Sequence, residues 1–163
     1  MLAGANLTGK DADADGGILT AEALAGLDLR KLELAVLSAC ETGLGEAATG
    51  EGVFGLQRAF HLGGCRNVVA SLWKVDDEAT AALMAVFYHE LWEEGRPPLE
   101  ALRRAQLALY RHPKDVGALA KGRGPDFDKT VKRVTQPPPK GDKPAKAALP
   151  RDWAAFVLSG YGR

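Results

Sequence analysis

The sequence predicts an α/β fold in which a mostly parallel sheet is flanked by helices. Two apolar runs and the helix between them predict it. Leu32, Leu34, Val36 and Leu37 make a short run that breaks into small residues, the mark of a strand buried on both faces. Val68, Val69, Ala70 and Leu72 make a second such run. Between them, Glu51 to Leu62 carries Val53, Leu56 and Phe60 at helical spacing, and Gly63 and Gly64 end it. Strand, helix, strand at this length is a right-handed crossover with both strands parallel in one sheet.

The rest of the chain is consistent with one compact domain. It has 163 residues, 46% hydrophobic and 26% charged. The net charge is zero, so no global field draws it to nucleic acid or to a membrane surface. No apolar run approaches the roughly 18 residues of a membrane span, and no signal peptide is visible, so a cytoplasmic protein is expected. Cys40 and Cys65 make neither a disulfide framework nor a zinc-site spacing. There is no solenoid-length repeat.

In chain order, Met1 to Ala5 reads as a short strand and Asn6 to Gly17 as a polar loop. Thr20 is placed to cap a short helix from Ala21 to Leu27. Within the loop, Asp11, Asp13, Asp15, Gly16, Ile18 and Glu22 follow the spacing of an EF-hand calcium loop. An EF-hand needs an entering helix, which Met1 to Lys10 does not offer, so a solvated acidic turn is the simpler reading. After the second strand, Asp76 or Asp77 caps a long helix to about Glu94, with Ala79, Leu83, Val86, Phe87 and Leu91 on its core face. Gly95, Pro97 and Pro98 break it. A further helix carries Leu99, Leu102, Gln106 and Leu109 on one face and ends near His112 and Pro113.

Composition then shifts. Lys114 to Arg151 holds six of the nine prolines and ten Lys and Arg against four Asp, a net of +6. With few large apolar residues, it reads as a flexible basic insertion. Trp153, Phe156 and Val157 restore an apolar run that returns to the sheet as a last strand.

Cys40 is the candidate reactive group. It follows the first strand by three residues, at the carboxyl edge of the sheet, where ligands and reactive side chains collect. Glu41, Thr42 and Gly43 form the turn after it. Backbone N–H groups freed in such a turn stabilise a thiolate and, later, an oxyanion. The competing reading is a small buried hydrophobe, the usual state of a free cysteine. Trp73, Asp76 and Asp77 occupy the neighbouring rim. They are the candidate substrate-binding residues, with an acidic pair suited to a basic side chain; helix capping is the rival role for both aspartates.

The blocks VLSACETGLGE, GEGVFGLQRAF, NVVASLWKVDDEAT, LEALRRAQLAL and WAAFVLSGY resemble, in order, successive parts of the CHAT domain. That is a caspase-like family often found behind tetratricopeptide repeats in bacteria. The resemblance covers most of the chain outside the basic insertion. It implies a three-layer caspase-like sandwich and a cysteine endopeptidase with a His–Cys dyad, needing no metal or other cofactor. Cys40 matches the nucleophile. The family's histidine lies in a His-Gly motif before the equivalent of Met1, so the domain is expected to be N-terminally truncated, and weak or inactive alone.

None of the three histidines is an obvious substitute. His61 and His89 lie about ten and 12 residues down helices that run away from the rim, roughly 15 and 18 Å from it at the helical rise. His112 ends a helix that runs back toward the rim, beside Pro113. The expected partners are a polypeptide substrate, a tetratricopeptide-repeat protein, or a chain that supplies the missing histidine. Neither nucleic acid nor membrane is expected. A non-catalytic interaction module on the same fold is the alternative, with a calcium module behind it.

Overall fold

A computed structural model describes residues 20–37, 51–136 and 148–163. Three strands form its sheet in the order β1 (Leu34–Leu37), β2 (Asn67–Ser71), β3 (Phe156–Gly160). β1 and β2 are parallel, with Leu34 opposite Asn67 and Leu37 opposite Ala70. The crossover between them contains α2 (Glu51–Leu62), as the helical spacing predicts. β3 runs antiparallel to β2, with Asn67 opposite Gly160 and Ser71 opposite Phe156. The described sheet is therefore mixed, with β1 and β2 running together as expected and β3 against them. The cause is local. The single turn α7 (Pro150–Trp153) delivers the chain at the carboxyl end of β2, where Leu72 N donates to Ala155 O at 2.8 Å. A strand entering there can only run back.

Helices cover both faces of the sheet. On one side, Ala35 and Val68 pack with Cys65, Leu37, Leu29 and Phe60 of α2, beside which lies α1 (Ala21–Ala25). On the other, Val69, Leu34 and Val36 pack under α3 (Asp77–Tyr88) and α4 (Pro98–Arg111). The alternation of β1 side chains between these clusters is the period of two that a two-faced strand requires. All five residues of β2 are buried.

The expected caps are in place. Thr20 Oγ1 accepts from Ala23 N at 3.1 Å and starts α1. α2 ends where Gly64 adopts φ +102°, a left-handed conformation that glycine accepts without a Cβ penalty. α3 continues as a π-helical turn, His89–Glu93, which places Glu90 almost wholly inside. Its carboxylate accepts from Arg96 Nε at 2.8 Å, with Arg104 Nε 3.6 Å away. Glu100 Oε1 completes the network, at 3.1 Å from Arg96 Nη1 and 3.0 Å from Arg104 Nε.

Among the described residues, the stretch read as a flexible insertion contains helices packed on the core. After the turn Pro113–Asp115, the chain forms α5 (Val116–Leu119) and α6 (Pro125–Thr135). Leu119, Phe127, Val131 and Val134 are buried in the main core. Phe127, Val131 and Val134 recur at i, i+4 and i+7, enough for one apolar stripe. Pro125 opens α6, Asp126 and Asp128 sit in its first turn, and Lys132 and Arg133 in its last, each placement favourable to the helix dipole. Composition concealed this, because three apolar residues among many charges lower the average but still make a face. Residues 137–147 of the insertion lie outside the described residues.

The packing of α6 makes a specific expectation. Phe127→Ala should cost about 3 kcal/mol, the usual scale for a buried phenylalanine. For a chain this size that lowers Tm by about 6–12 °C, readable by differential scanning calorimetry. Lys132→Ala, at an exposed position of the same helix, should leave Tm nearly unchanged.

Candidate functional site

The candidate site is the carboxyl rim of the sheet, where β1 and β2 both end. β1 delivers the chain at Leu37, three residues before Cys40. Cys40, Glu41, Thr42 and Gly43 lie outside the described residues, as do Asp11 to Gly16 and Ile18 of the acidic loop; Glu22 falls in the first turn of α1. The β2–α3 connection and residues 148–155 at the rim are described.

There a cleft of about 510 Å³ opens between the β2–α3 connection, the end of α4, α5 and the segment before β3. Lys74, Asp76, Glu78, Pro113, Arg151 and Asp152 line it, with Leu109 and Val116 beneath. Asp76 has the role that competed with substrate binding. Its Oδ2 accepts from Glu78 N at 3.0 Å and Ala79 N at 3.2 Å, capping α3. Asp77 is the first residue of the helix and is exposed. Trp73 is 41% exposed and donates from Nε1 to Arg151 O at 3.2 Å. Of the three rim residues singled out from sequence, Asp76 lines the cleft, and Trp73 anchors the strand of chain that forms its far wall.

Sequence reasoning puts Lys74 in the loop at the carboxyl edge with Asp76 and Asp77 but does not single it out as a site residue, and it misses Arg151 and Asp152. Those two could not be found, because their place depends on α7 closing against β2. They change the electrostatics. Three carboxylates, Asp76, Glu78 and Asp152, face two cations, Lys74 and Arg151, and Arg151 Nε is 3.4 Å from Asp152 Oδ1. The excess negative charge is small.

The histidines fall into separate places. His61 is at the amino end of β2, the opposite end from the rim. Its Nδ1–H donates to Cys65 O at 3.0 Å, and its Nε2 is hydrogen-bonded to Ser159 Oγ at 2.9 Å. Ser159 is paired with Val68, one residue from the start of β2. His89 lies at the far end of α3, edge-on to Phe127 with ring centres 6.1 Å apart. His112 closes α4, with its Nδ1 3.9 Å from Asp115 Oδ2. Its neighbour Pro113 lines the rim cleft, so α4 does return to the rim as expected.

Cys65 is a structural thiol. It is 3% exposed, and its Sγ–H donates to Asn67 O at 3.2 Å. The resolved pKa shifts lie away from the rim cleft. The guanidinium of Arg30 holds the Asp28 carboxyl below the usual carboxylate range, and that carboxylate in turn raises Arg30. Burial raises the phenol of Tyr88. Among the described residues no three His, Cys, Asp or Glu side chains are placed to hold a metal ion. None of the described helices is long and apolar enough to cross a membrane.

A family model, the CHAT domain, matches residues 2–161. The chain belongs to the CHAT domain family. The match spans the basic insertion as well as the flanking blocks, and it places the chain in a family of caspase-like, peptidase type. No curated protein and no solved structure matches the chain.

The capping role of Asp76 is directly measurable. Asp76→Ala should destabilise the domain by about 1 kcal/mol, the usual cost of losing an N-cap, while Asp77→Ala should change stability by less than half of that. Urea melts of the two variants check this.

Proposed function

We propose that this CHAT domain is of caspase-like cysteine-endopeptidase type, with Cys40 as the nucleophile and with a general base other than His61, His89 and His112. The observation that carries the reading is the family match running through Cys40, joined to a strand that ends three residues before it. In such a site the Cys40 thiolate attacks the scissile carbonyl carbon, and N–H groups of the Glu41–Gly43 turn receive the oxyanion. The histidine that took the thiol proton returns it to the leaving amine. Water then releases the acyl group from sulfur.

The histidines of the chain support the second half of the proposal. His61 has both ring nitrogens engaged at the amino end of the sheet. His89 packs against α6. The proposed source of the base is a segment paired on the outer edge of β1, which is the terminal strand among the described residues. Beside that edge lies a groove of about 810 Å³ lined by Leu34, Val36, Tyr88 and Trp92. For substrate, the rim cleft favours a polypeptide, with Asp76 and its neighbouring carboxylates offered to a basic side chain and Trp73 beside it. The second reading, a non-catalytic interaction module, is favoured by the same engaged histidines.

Alkylation and cleavage separate these readings. An unassisted thiol with pKa near about 8.5 is only a few per cent thiolate at neutral pH. Cys65 is a built-in reference, being buried. Cys40 should react with iodoacetamide at least about tenfold faster than Cys65, followed by mass spectrometry of the two peptides. Peptides cut after Arg or Lys should not be hydrolysed by the chain alone, because general acid–base help is worth about 10² to 10⁴ in rate. Equal, slow alkylation of both cysteines would favour the interaction module. Cleavage that is lost in both Cys40→Ala and His112→Ala would make His112 the base and overturn the proposal of an outside histidine.

A further inference from the structure

We propose that the face formed by α4 and α6 is a docking site for an acidic segment of a partner polypeptide. The inference does not depend on the chemistry of Cys40. A cleft of about 330 Å³ runs between the two helices. Arg103, Arg104, Leu107 and Arg111 of α4 form one wall, and Val134 and Thr135 of α6 form the other. Arg103, Leu107 and Arg111 are spaced by four, so they share one side of α4. The two outer arginines are separated by roughly 12 Å along the helix axis.

The charge of the face is not cancelled locally. Glu100 stands at the edge of the cleft, but its Oε1 is shared between Arg96 and Arg104. Arg104 is thereby fixed in place. Arg103 and Arg111 make no ion pair within 4.0 Å among the described residues, and Arg103 is exposed. The carboxyl end of α6 contributes roughly half a negative charge, less than either arginine supplies. The helical region around it is basic as well: residues 98–136 hold nine Lys and Arg against four Asp and Glu, a net of +5 in a chain whose total is zero.

The chemistry selects a polypeptide. Arginine meets carboxylates through a planar, two-pronged pairing. Carboxylates four residues apart on an extended chain are separated by roughly 13 Å, close to the spacing of Arg103 and Arg111. An apolar side chain between them would rest on Leu107 and Val134. A single-stranded nucleic acid would instead call for aromatic stacking partners, and the cleft lining contains none.

The test uses the full chain and a short fluorescein-labelled peptide with glutamates on both sides of one leucine, followed by fluorescence anisotropy. Binding should weaken at least about tenfold in Arg103→Glu/Arg111→Glu. It should change less than about twofold in Lys121→Glu/Arg123→Glu, which removes the same charge from an exposed turn outside the cleft. Replacing the peptide leucine with glycine should also weaken it. If the reversed pair melts early, Arg103→Gln/Arg111→Gln repeats the comparison with a gentler change. Equal weakening by both double variants would overturn the site in favour of a general field. So would a single-stranded oligonucleotide that binds more tightly than the peptide and is lost in Arg103→Glu/Arg111→Glu. A dimer seen by sedimentation that dissociates in that variant would make the occupant a second copy of this chain and overturn the partner assignment.

Discussion

Burial of β2 on every side is the constraint on which the rest of the structure depends. All five of its residues pair with β3 and four of them with β1, and Val68 and Val69 point into opposite cores. A strand in that position must satisfy its polar groups inside the protein. Asn67 shows how completely this is done. Its Nδ2 donates to Glu33 O at 3.1 Å and to Arg163 O at 3.2 Å, and its Oδ1 accepts from Gly162 N at 2.7 Å. One buried amide thus joins the entry to β1, the start of β2 and the chain after β3. Gly160 permits the approach: it adopts φ +125°, and a Cβ there would collide with Arg66 O.

The two ends of the sheet consequently do different work. At the amino end, the side chains of Asn67, His61, Ser159 and Cys65 are all engaged in hydrogen bonds. At the carboxyl end the backbone turns outward and polar side chains collect, as open α/β sheets dispose them. The basic insertion is part of that end. Ala148 N donates to Tyr110 O, Trp73 donates to Arg151 O, and Gln106 Nε2 donates to Phe156 O at 2.8 Å. These bonds tie α4, the β2–α3 connection and β3 together. What composition presented as a tether is a wall of the cleft.

Legibility in the sequence followed the range of the interaction. Apolar periodicity revealed β1, α2, β2, α3 and α4, because each pattern is written within one element. Caps at Thr20 and Asp76 were legible for the same reason, each depending on residues two or three apart. The direction of β3 was not, since it follows from where α7 meets β2. α6 was legible in principle through Phe127, Val131 and Val134, but average composition outweighed a three-residue stripe. The burial of Glu90 was not legible at all. A glutamate in a helix is ordinarily solvated, and only the π-helical turn and the two arginines account for its position. At the site, the rim placement of Asp76 was read correctly, while Arg151 and Asp152 came from a segment whose docking no local pattern announces.

The engaged state of His61 bears most on how the fold serves its family's chemistry. A base must reach its nucleophile within hydrogen-bond distance, directly or through one water. His61 is held by the Cys65 carbonyl just before β2 and by the Ser159 hydroxyl of β3, both at the amino end of β2. To reach the carboxyl end of β2 it would have to leave both partners and cross the length of the strand, whose five residues rise roughly 16 Å. Vacating those bonds would also cost the Cys65 carbonyl and the Ser159 hydroxyl a partner each. The same packing that makes β2 a rigid support for the rim therefore excludes this histidine from it. A base acting at the carboxyl rim would have to be supplied from that end of the sheet rather than from His61.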